Sequence, residues 1–277
     1  MKLAIEEMTF IEFREAARRD PVIIIPLGSQ ETQGPCNPMG DFMLVRRLAN
    51  EVAARTGCLV APTIPFGFAD CFSSLPGGIQ LSPETFMGVV RDVLLSFLNH
   101  GLRRLVIMNG HTGNNALIDL TVRRLRQEQG AMVPWINIWP LASSGRRNEA
   151  HGANAGRATG HGADPIGSVY EYFYPALTRR ELATTEGTGK TFFGLPTSGL
   201  QSVDLDGTQV NLAVRVDDHC DHVVGGDPSL ANPASGKIFA DFIVTEFIKL
   251  VRHVAVLPAE HLVDTTGRWP DGRSPGR

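Results

Sequence analysis

The sequence predicts an α/β fold in three layers, α/β/α, on a mainly parallel sheet. Three observations carry this. Short apolar runs bounded by Gly and Pro recur at residues 22–27, 58–61, 105–108 and 133–138, and such runs read as buried parallel strands. Segments with helical periodicity lie between them. The resulting β-α-β-α order requires crossover connections, which place helices on both faces of the sheet. A chain of 277 residues is long enough to bury a sizeable core.

Taken in order, residues 41–56 form the first helix of this repeat. Residues 82–100 are the clearest: Phe86, Val89, Val90, Val93, Leu94, Phe97 and Leu98 recur at alternating spacings of three and four. Ser82 is placed to N-cap this helix, Pro83 fits its first turn and Gly101 can end it. A third helix spans 114–129 and leads through Gly130 into the last strand. After Trp139 the pattern loosens. Residues 142–162 are rich in Gly, Ala, Ser and Asn and read as a long loop, the kind that covers sites in α/β enzymes. A helix is expected over 165–174, a Gly- and Thr-rich stretch over 184–207, and a strong final helix over 234–251. The last presents Phe239, Phe242, Ile243, Phe247 and Ile248 to the core. Residues 267–277 are polar, rich in Gly and Pro, and read as a frayed tail. No internal repeat or linker divides residues 1–277, so a single domain is expected.

Composition excludes several function classes. There are 26 Lys and Arg against 29 Asp and Glu, a net charge of −3, and no basic run exceeds two residues. Nothing here points to nucleic acid or an anionic membrane surface. The first residues, Met1 to Glu7, lack the apolar core of a signal peptide. Four scattered cysteines (Cys36, Cys58, Cys71, Cys220) form no Cys-x-x-Cys pair. A reduced, cytoplasmic protein is expected.

Two segments carry the chemistry. The first runs Gly28-Ser29-Gln30-Glu31-Thr32-Gln33-Gly34-Pro35 and closes at Asp41; the second is Asn109-Gly110-His111-Thr112-Gly113-Asn114. Each follows a strand candidate, so Glu31, Asp41 and His111 converge where strands end, the usual ligand edge of an open α/β sheet. Two carboxylates and an imidazole suit a hard-to-borderline divalent metal and point to a metal-dependent hydrolase. The competing roles are ordinary ones: Glu31 a turn acid, Asp41 a helix cap, His111 a turn residue.

Both segments resemble the creatininase (creatinine amidohydrolase) family, whose pattern runs Gly-Ser-x-Glu-x-His-Gly-Pro-His-x-Pro, then Asp, then Asn-Gly-His-Gly-Gly-Asn. Leu75-Pro76-Gly77-Gly78-Ile79 and Gly226-Asp227-Pro228-Ser229-Leu230-Ala231, followed by Gly236, add to the resemblance, which spans roughly residues 20–250. It implies a creatininase-like fold and hydrolysis of an amide-like C–N bond, in a cyclic amide or similar small molecule, by metal-activated water. It implies Glu31 and His111 as ligands of one ion, with Asp41 bridging to a second. The ions would be Zn or Mn, with Fe an option, and the protein a homo-oligomer, commonly a hexamer. His161, in Gly160-His161-Gly162-Ala163-Asp164-Pro165-Ile166-Gly167-Ser168, matches the family's catalytic histidine and would protonate the leaving nitrogen.

The chain departs from the family at the second ion. Gln33 stands where the family has His, Cys36 where it has a later His, and Asp164 and Ile166 where it has two Glu. Gln33 is a poor ligand by comparison with imidazole; Asp164 is either a substitute ligand or a helix N-cap before Pro165. One or two ions per chain are therefore open. So are a mononuclear deformylase- or peptidase-like relative and a degenerate binding or scaffold subunit. The polar cluster of Asp217, Asp218, His219, Cys220, Asp221 and His222 matches no standard zinc spacing and reads as a solvated loop.

Overall fold

The structure, a computed structural model, describes residues 2–184, 189–220 and 225–264. The expected strands are all present: β1 (Ile23–Leu27), β2 (Leu59–Val60), β3 (Leu105–Asn109) and β4 (Trp135–Asn137). They form one parallel sheet in the order β2-β1-β3-β4. The register pairs Leu27 with Asn109, so β1 and β3 end side by side.

The helices are α1 (Phe10–Ala17), α2 (Phe42–Thr56), α3 (Pro83–Asn99), α4 (Asn115–Gln129), α5 (Ser144–His151), α6 (Ala155–Ala158), α7 (Ile166–Phe173), α8 (Val216–His219) and α9 (Pro233–Val256). The period-two alternation of strand side chains divides the core in two. Val22, Ile24, Val60, Val106 and Met108 pack against α2, α7 and α9 on one face. Ile23, Ile25, Leu27, Leu59, Leu105 and Ile107 pack against α3 and α4 on the other. This is the three-layer arrangement expected, and each fully buried Leu, Ile or Phe adds about 1.5–3 kcal/mol. The continuous apolar runs of β1 and β3 follow from burial on both faces.

Helix α3 matches its sequence features closely. Ser82 accepts the Thr85 N–H at 3.2 Å, Phe86, Val90, Leu94 and Leu98 are the buried stripe, and Gly101 turns the chain out at φ +79°. Helix α9 runs longer than expected; Asn232 caps it by accepting the Ser235 N–H at 2.9 Å.

Two segments differ from expectation. Residues 142–162 are not one loop, because α5 and α6 form there. Their Gly- and Asn-rich composition hides a helix that depends on contact with α9, where the Arg146 guanidinium sits 4.4 Å from the centre of the Phe242 ring. Within 184–207, strands β5 (Thr191–Phe192) and β6 (Leu195–Pro196) pair antiparallel. Next to them β7 (Ser202–Leu205) pairs with β8 (Thr208–Asn211). The tail expected over 267–277 lies outside the described residues. Among those described, no helix is long and apolar enough to cross a membrane.

Helices α7 and α9 cross closely at Gly236, where a β-carbon would lie 1.9 Å from the Ser168 carbonyl oxygen. Neither backbone can yield without moving a helix. Gly236→Ala is therefore expected to cost on the order of 1–3 kcal/mol, read as a lower urea midpoint at unchanged m-value. An unchanged midpoint would mean that the crossing is loosely packed.

Candidate metal centre

The paired ends of β1 and β3 deliver both motifs to one place. From β1 the chain turns into the segment bearing Glu31 and Asp41; from β3 it turns immediately into His111. The three side chains are buried, and one ligand atom from each lies within 4.8 Å of the others. The Nδ1 of His111 is 3.1 Å from Glu31 Oε1 and 3.3 Å from Asp41 Oδ2.

The surroundings orient each member. His111 Nε2 is 2.9 Å from the Phe68 carbonyl oxygen. That oxygen can only accept, so Nε2 carries a hydrogen and Nδ1 is the atom turned to the two carboxylates, free to hold a proton or a cation. Gly113 permits this contact: a β-carbon there would lie 2.3 Å from Phe68 O and 2.5 Å from His111 Nε2. Asn114 holds the same segment, accepting the Phe68 N–H at 2.9 Å and donating to Gly28 O at 3.2 Å. Asp41 precedes α2, but its side chain makes no capping bond to that helix. Its Oδ1 accepts the Ser29 N–H at 2.7 Å and its Oδ2 the Ser29 hydroxyl at 3.1 Å. The capping role is thus set aside in favour of a carboxylate aimed at His111.

The electrostatics are those of a site built around positive charge. A lone pair on Nδ1 between two carboxylate oxygens is repulsive unless a proton or a cation lies between them. Burial opposes the charged imidazole of His111, but the Glu31 and Asp41 carboxylates outweigh it and hold its pKa well above the ordinary value. Burial raises Asp41 to about 6 despite the neighbouring imidazole. Glu31 Oε2 is buried without a hydrogen-bond partner. An orphaned carboxylate oxygen beside an Nδ1 lone pair and a second carboxylate fits a divalent cation.

Gln33 is fully buried beside them and donates from Nε2 to Glu31 Oε1 at 3.0 Å, while its own Oε1 has no partner. Asp164 does not join the group. Its Oδ1 accepts the Ser168 N–H at 2.7 Å, and its Oδ2 meets the Ser168 hydroxyl at 2.6 Å and His151 Nε2 at 2.5 Å. The expectation of Asp164 as a substitute ligand is corrected on this ground: the carboxylate is taken up in capping α7 and pairing with His151. The family's two Glu positions are thus an engaged Asp164 and an apolar Ile166.

His161 reaches the same cavity of about 540 Å³ that Glu31, Asp41 and His111 line. Its ring stacks on Phe72 at 4.4 Å between centroids, and Nε2 is 2.9 Å from the Thr32 carbonyl oxygen. Nε2 therefore carries the hydrogen and Nδ1 is the basic atom. Burial lowers the pKa of His161. Trp139 is both core and cavity wall, donating its indole N–H to the Gly110 carbonyl. Cys36 is a buried core thiol, raised by burial. Cys71 instead lines the cavity, where burial and then Glu31 push its thiol up to about 12. In the polar cluster, Asp218 accepts the Arg215 N–H at 2.9 Å and His219 Nδ1 lies 2.8 Å from Thr197 Oγ1; Asp221 and His222 lie outside the described residues.

Sequence reasoning missed four participants. Ser29 and Asn114 sit inside the motifs, so their positions were marked but not their roles. Phe68 acts through its backbone and Phe72 through ring stacking, and neither leaves a signal in the sequence.

The family described as Creatininase, creatinine amidohydrolase, matches residues 6–251. A 3-dehydro-scyllo-inosose hydrolase of Thermotoga maritima is 36% identical over 121 residues, covering 43% of this chain and 39% of that protein. The creatinine amidohydrolase of Pseudomonas putida is 35% identical over 131 residues, covering 43% of this chain and 50% of that one. A mycofactocin precursor peptide peptidase of Mycobacterium ulcerans is 34% identical over 121 residues, covering 39% and 47%. The matches thus span half or less of the length of these curated relatives. Among solved structures, a manganese creatininase superposes with a TM-score of 0.73 at 22% identity, covering 93% of this chain and 100% of that one. A creatinine amidohydrolase gives 0.73 at 22% identity, covering 92% and 99%. These likenesses show the shared fold, and the match over residues 6–251 shows that the chain belongs to the creatininase family.

Proposed function

We propose that this protein is a metal-dependent amidohydrolase that cleaves an amide-like C–N bond, in a cyclic amide or similar small molecule, with one divalent ion held by Glu31, Asp41 and His111. The observation that carries this is His111 Nδ1 held 3.1 and 3.3 Å from two buried carboxylates, one with an orphaned oxygen. When bound, a divalent ion supplies an acidified water and a polarised carbonyl. Three protein ligands leave positions open, the pattern of a catalytic centre.

The chain's own residues do the rest. Phe68 O and Ser29 fix the orientation of His111 and Asp41, the outer contacts that ligating groups need. His161 is the acid–base group. With Nε2–H tied to Thr32 O and its pKa lowered, Nδ1 is unprotonated at neutral pH. It first takes a proton at Nδ1 from the attacking water and then gives it to the leaving nitrogen. This revises the simpler expectation of a histidine that only donates.

A single ion is favoured over two. Gln33 donates an N–H to Glu31 where the family has an imidazole, and Asp164 is engaged by Ser168 and His151. The ion is Zn or Mn in this reading, with Fe an option; solved neighbours include a manganese form and a Zn–Zn form of creatininase. A cytoplasmic homo-oligomer, by likeness to the family, completes the proposal.

Metal content per chain on protein purified without chelator, then after dialysis against Zn, Mn or Fe, tests the reading. One ion is expected. Two would return Gln33 to the ligand set, and none under any condition would favour a scaffold subunit. Glu31→Gln or His111→Ala should each bring content well below one while the circular dichroism spectrum holds.

Metal binding must displace protons from its ligands. His111 is raised well above its ordinary value and Asp41 to about 6, so affinity should climb as pH rises through 6 and beyond. Calorimetry near pH 7 in buffers of different ionisation enthalpy should show net proton release on binding. A pH-independent affinity would contradict the arrangement.

His161→Ala should lower kcat for lactam hydrolysis by roughly 10²- to 10⁴-fold with metal content intact. An unchanged kcat would remove His161 from the chemistry.

A further inference from the structure

The cavity has two unlike walls. One is the metal centre with His161. The other comes from the excursion between α7 and α9, where Ser198, Leu200, Gln201, Ser202, Gln209 and Asn211 line the space. The hairpin register pairs Ser202 with Asn211 and Asp204 with Gln209. Directly paired residues share a face, so Ser202, Gln209 and Asn211 point the same way, as does Asp204, which lies beyond the cavity lining and accepts the Gly207 N–H at 2.9 Å. Apart from Leu200, these lining side chains are uncharged hydroxyls and carboxamides, able both to donate and to accept.

This wall is held in place independently of the two main cores. A small cluster of Ala69, Phe72, Val216 and Cys220, with Leu200 packed against it, ties the excursion to the segment carrying Phe72. Phe72 in turn stacks on His161. The segments flanking the hairpin, at Leu200, Val216 and Cys220, and the His161 ring thus lean on the same Phe72 side chain. Ser198 is fixed within the wall: its hydroxyl accepts from Gln209 Nε2 at 3.0 Å, and its carbonyl accepts the Ser202 hydroxyl at 2.8 Å.

What the lining lacks matters equally. Among the described residues, no Lys or Arg faces the cavity. A carboxylate or phosphate on the substrate, directed at the exposed Gln209 and Asn211, would give up part of its hydration without gaining a cation partner. A bare apolar ring would leave the amides and hydroxyls of the wall without partners. A cavity of about 540 Å³ lies within the range of small-molecule sites.

We propose that the β7–β8 hairpin is the specificity wall of this enzyme, and that its substrate is a small uncharged ring bearing several hydroxyl or carbonyl groups, read by Gln209 and Asn211 while the scissile bond lies at the metal centre. This rests on the hydrolase reading above and adds the periphery of the substrate to it.

The test uses three six-membered lactams that share the scissile amide and differ only at the rim: glucono-δ-lactam, δ-valerolactam and 6-oxopiperidine-2-carboxylate. Binding to the metal-loaded full-length chain is measured by calorimetry, with metal content determined in parallel. The polyhydroxylated lactam is expected to bind at least about tenfold tighter than the bare one, and the carboxylate weakest. Gln209→Leu and Asn211→Leu should each weaken the polyhydroxylated lactam roughly 3- to 10-fold, leave metal content unchanged, and bind δ-valerolactam at least as tightly as the wild type does. Tightest binding of the carboxylate, or variants that bind all three as the wild type does, including not at all, would overturn the assignment of the hairpin. Retention of metal by Glu31→Gln would instead overturn the metal reading, whatever the lactams do.

Discussion

The site depends on where one lone pair is made to point. His111 Nδ1 faces two buried carboxylates because Nε2–H is committed to the Phe68 carbonyl. Such an arrangement is stable only with positive charge at its centre, since burying two acids without compensation is costly. A proton satisfies it in the metal-free chain and a divalent ion when loaded. The outer contacts serve this: Gly113 lets Phe68 O approach, Asn114 holds that segment, and Ser29 keeps Asp41 from capping α2.

The sheet makes the convergence possible. Parallel strands β1 and β3 are adjacent and in register to their last residues, so two motifs about eighty residues apart leave the sheet at the same edge. Burial on both faces makes this edge rigid, with α2, α7 and α9 on one side and α3 and α4 on the other. Ligands delivered from strand ends need little further ordering when an ion binds. The third contributor, His161, comes from the segment between α6 and α7 and is set by stacking on Phe72 and by its bond to Thr32 O.

The departures from the family pattern have a coherent physical sense. A glutamine at 33 removes one imidazole but supplies an N–H to the same Glu31 oxygen. Asp164, one carbon shorter than the Glu it stands for, is spent on the first turn of α7 and on His151. Both changes remove ligand capacity from the second position while leaving the Glu31–Asp41–His111 group whole. What remains together is the Glu31–Asp41–His111 group with His161 in the same cavity, facing the Ser-, Gln- and Asn-bearing wall.

Much was legible in the linear chain. The four apolar runs, the amphipathic stripe of α3 and the punctuation at Ser82, Pro83 and Gly101 are local properties, and local properties survive folding. Glu31, Asp41 and His111 could be paired because each follows a strand, and strand ends in an open parallel sheet meet. Other features had no local cause. Helix α5 forms in a Gly- and Asn-rich stretch because α9 offers it a packing surface, and the segments flanking the hairpin of β7 and β8 are anchored by the cluster around Phe72. Asp41 and Asp164 show the division most clearly. Each precedes a helix, and in the sequence each can be read as a cap or as a ligand. Tertiary contacts decide between the two: Ser29 and His111 turn Asp41 toward the centre, while Ser168 and His151 occupy Asp164 at the start of α7.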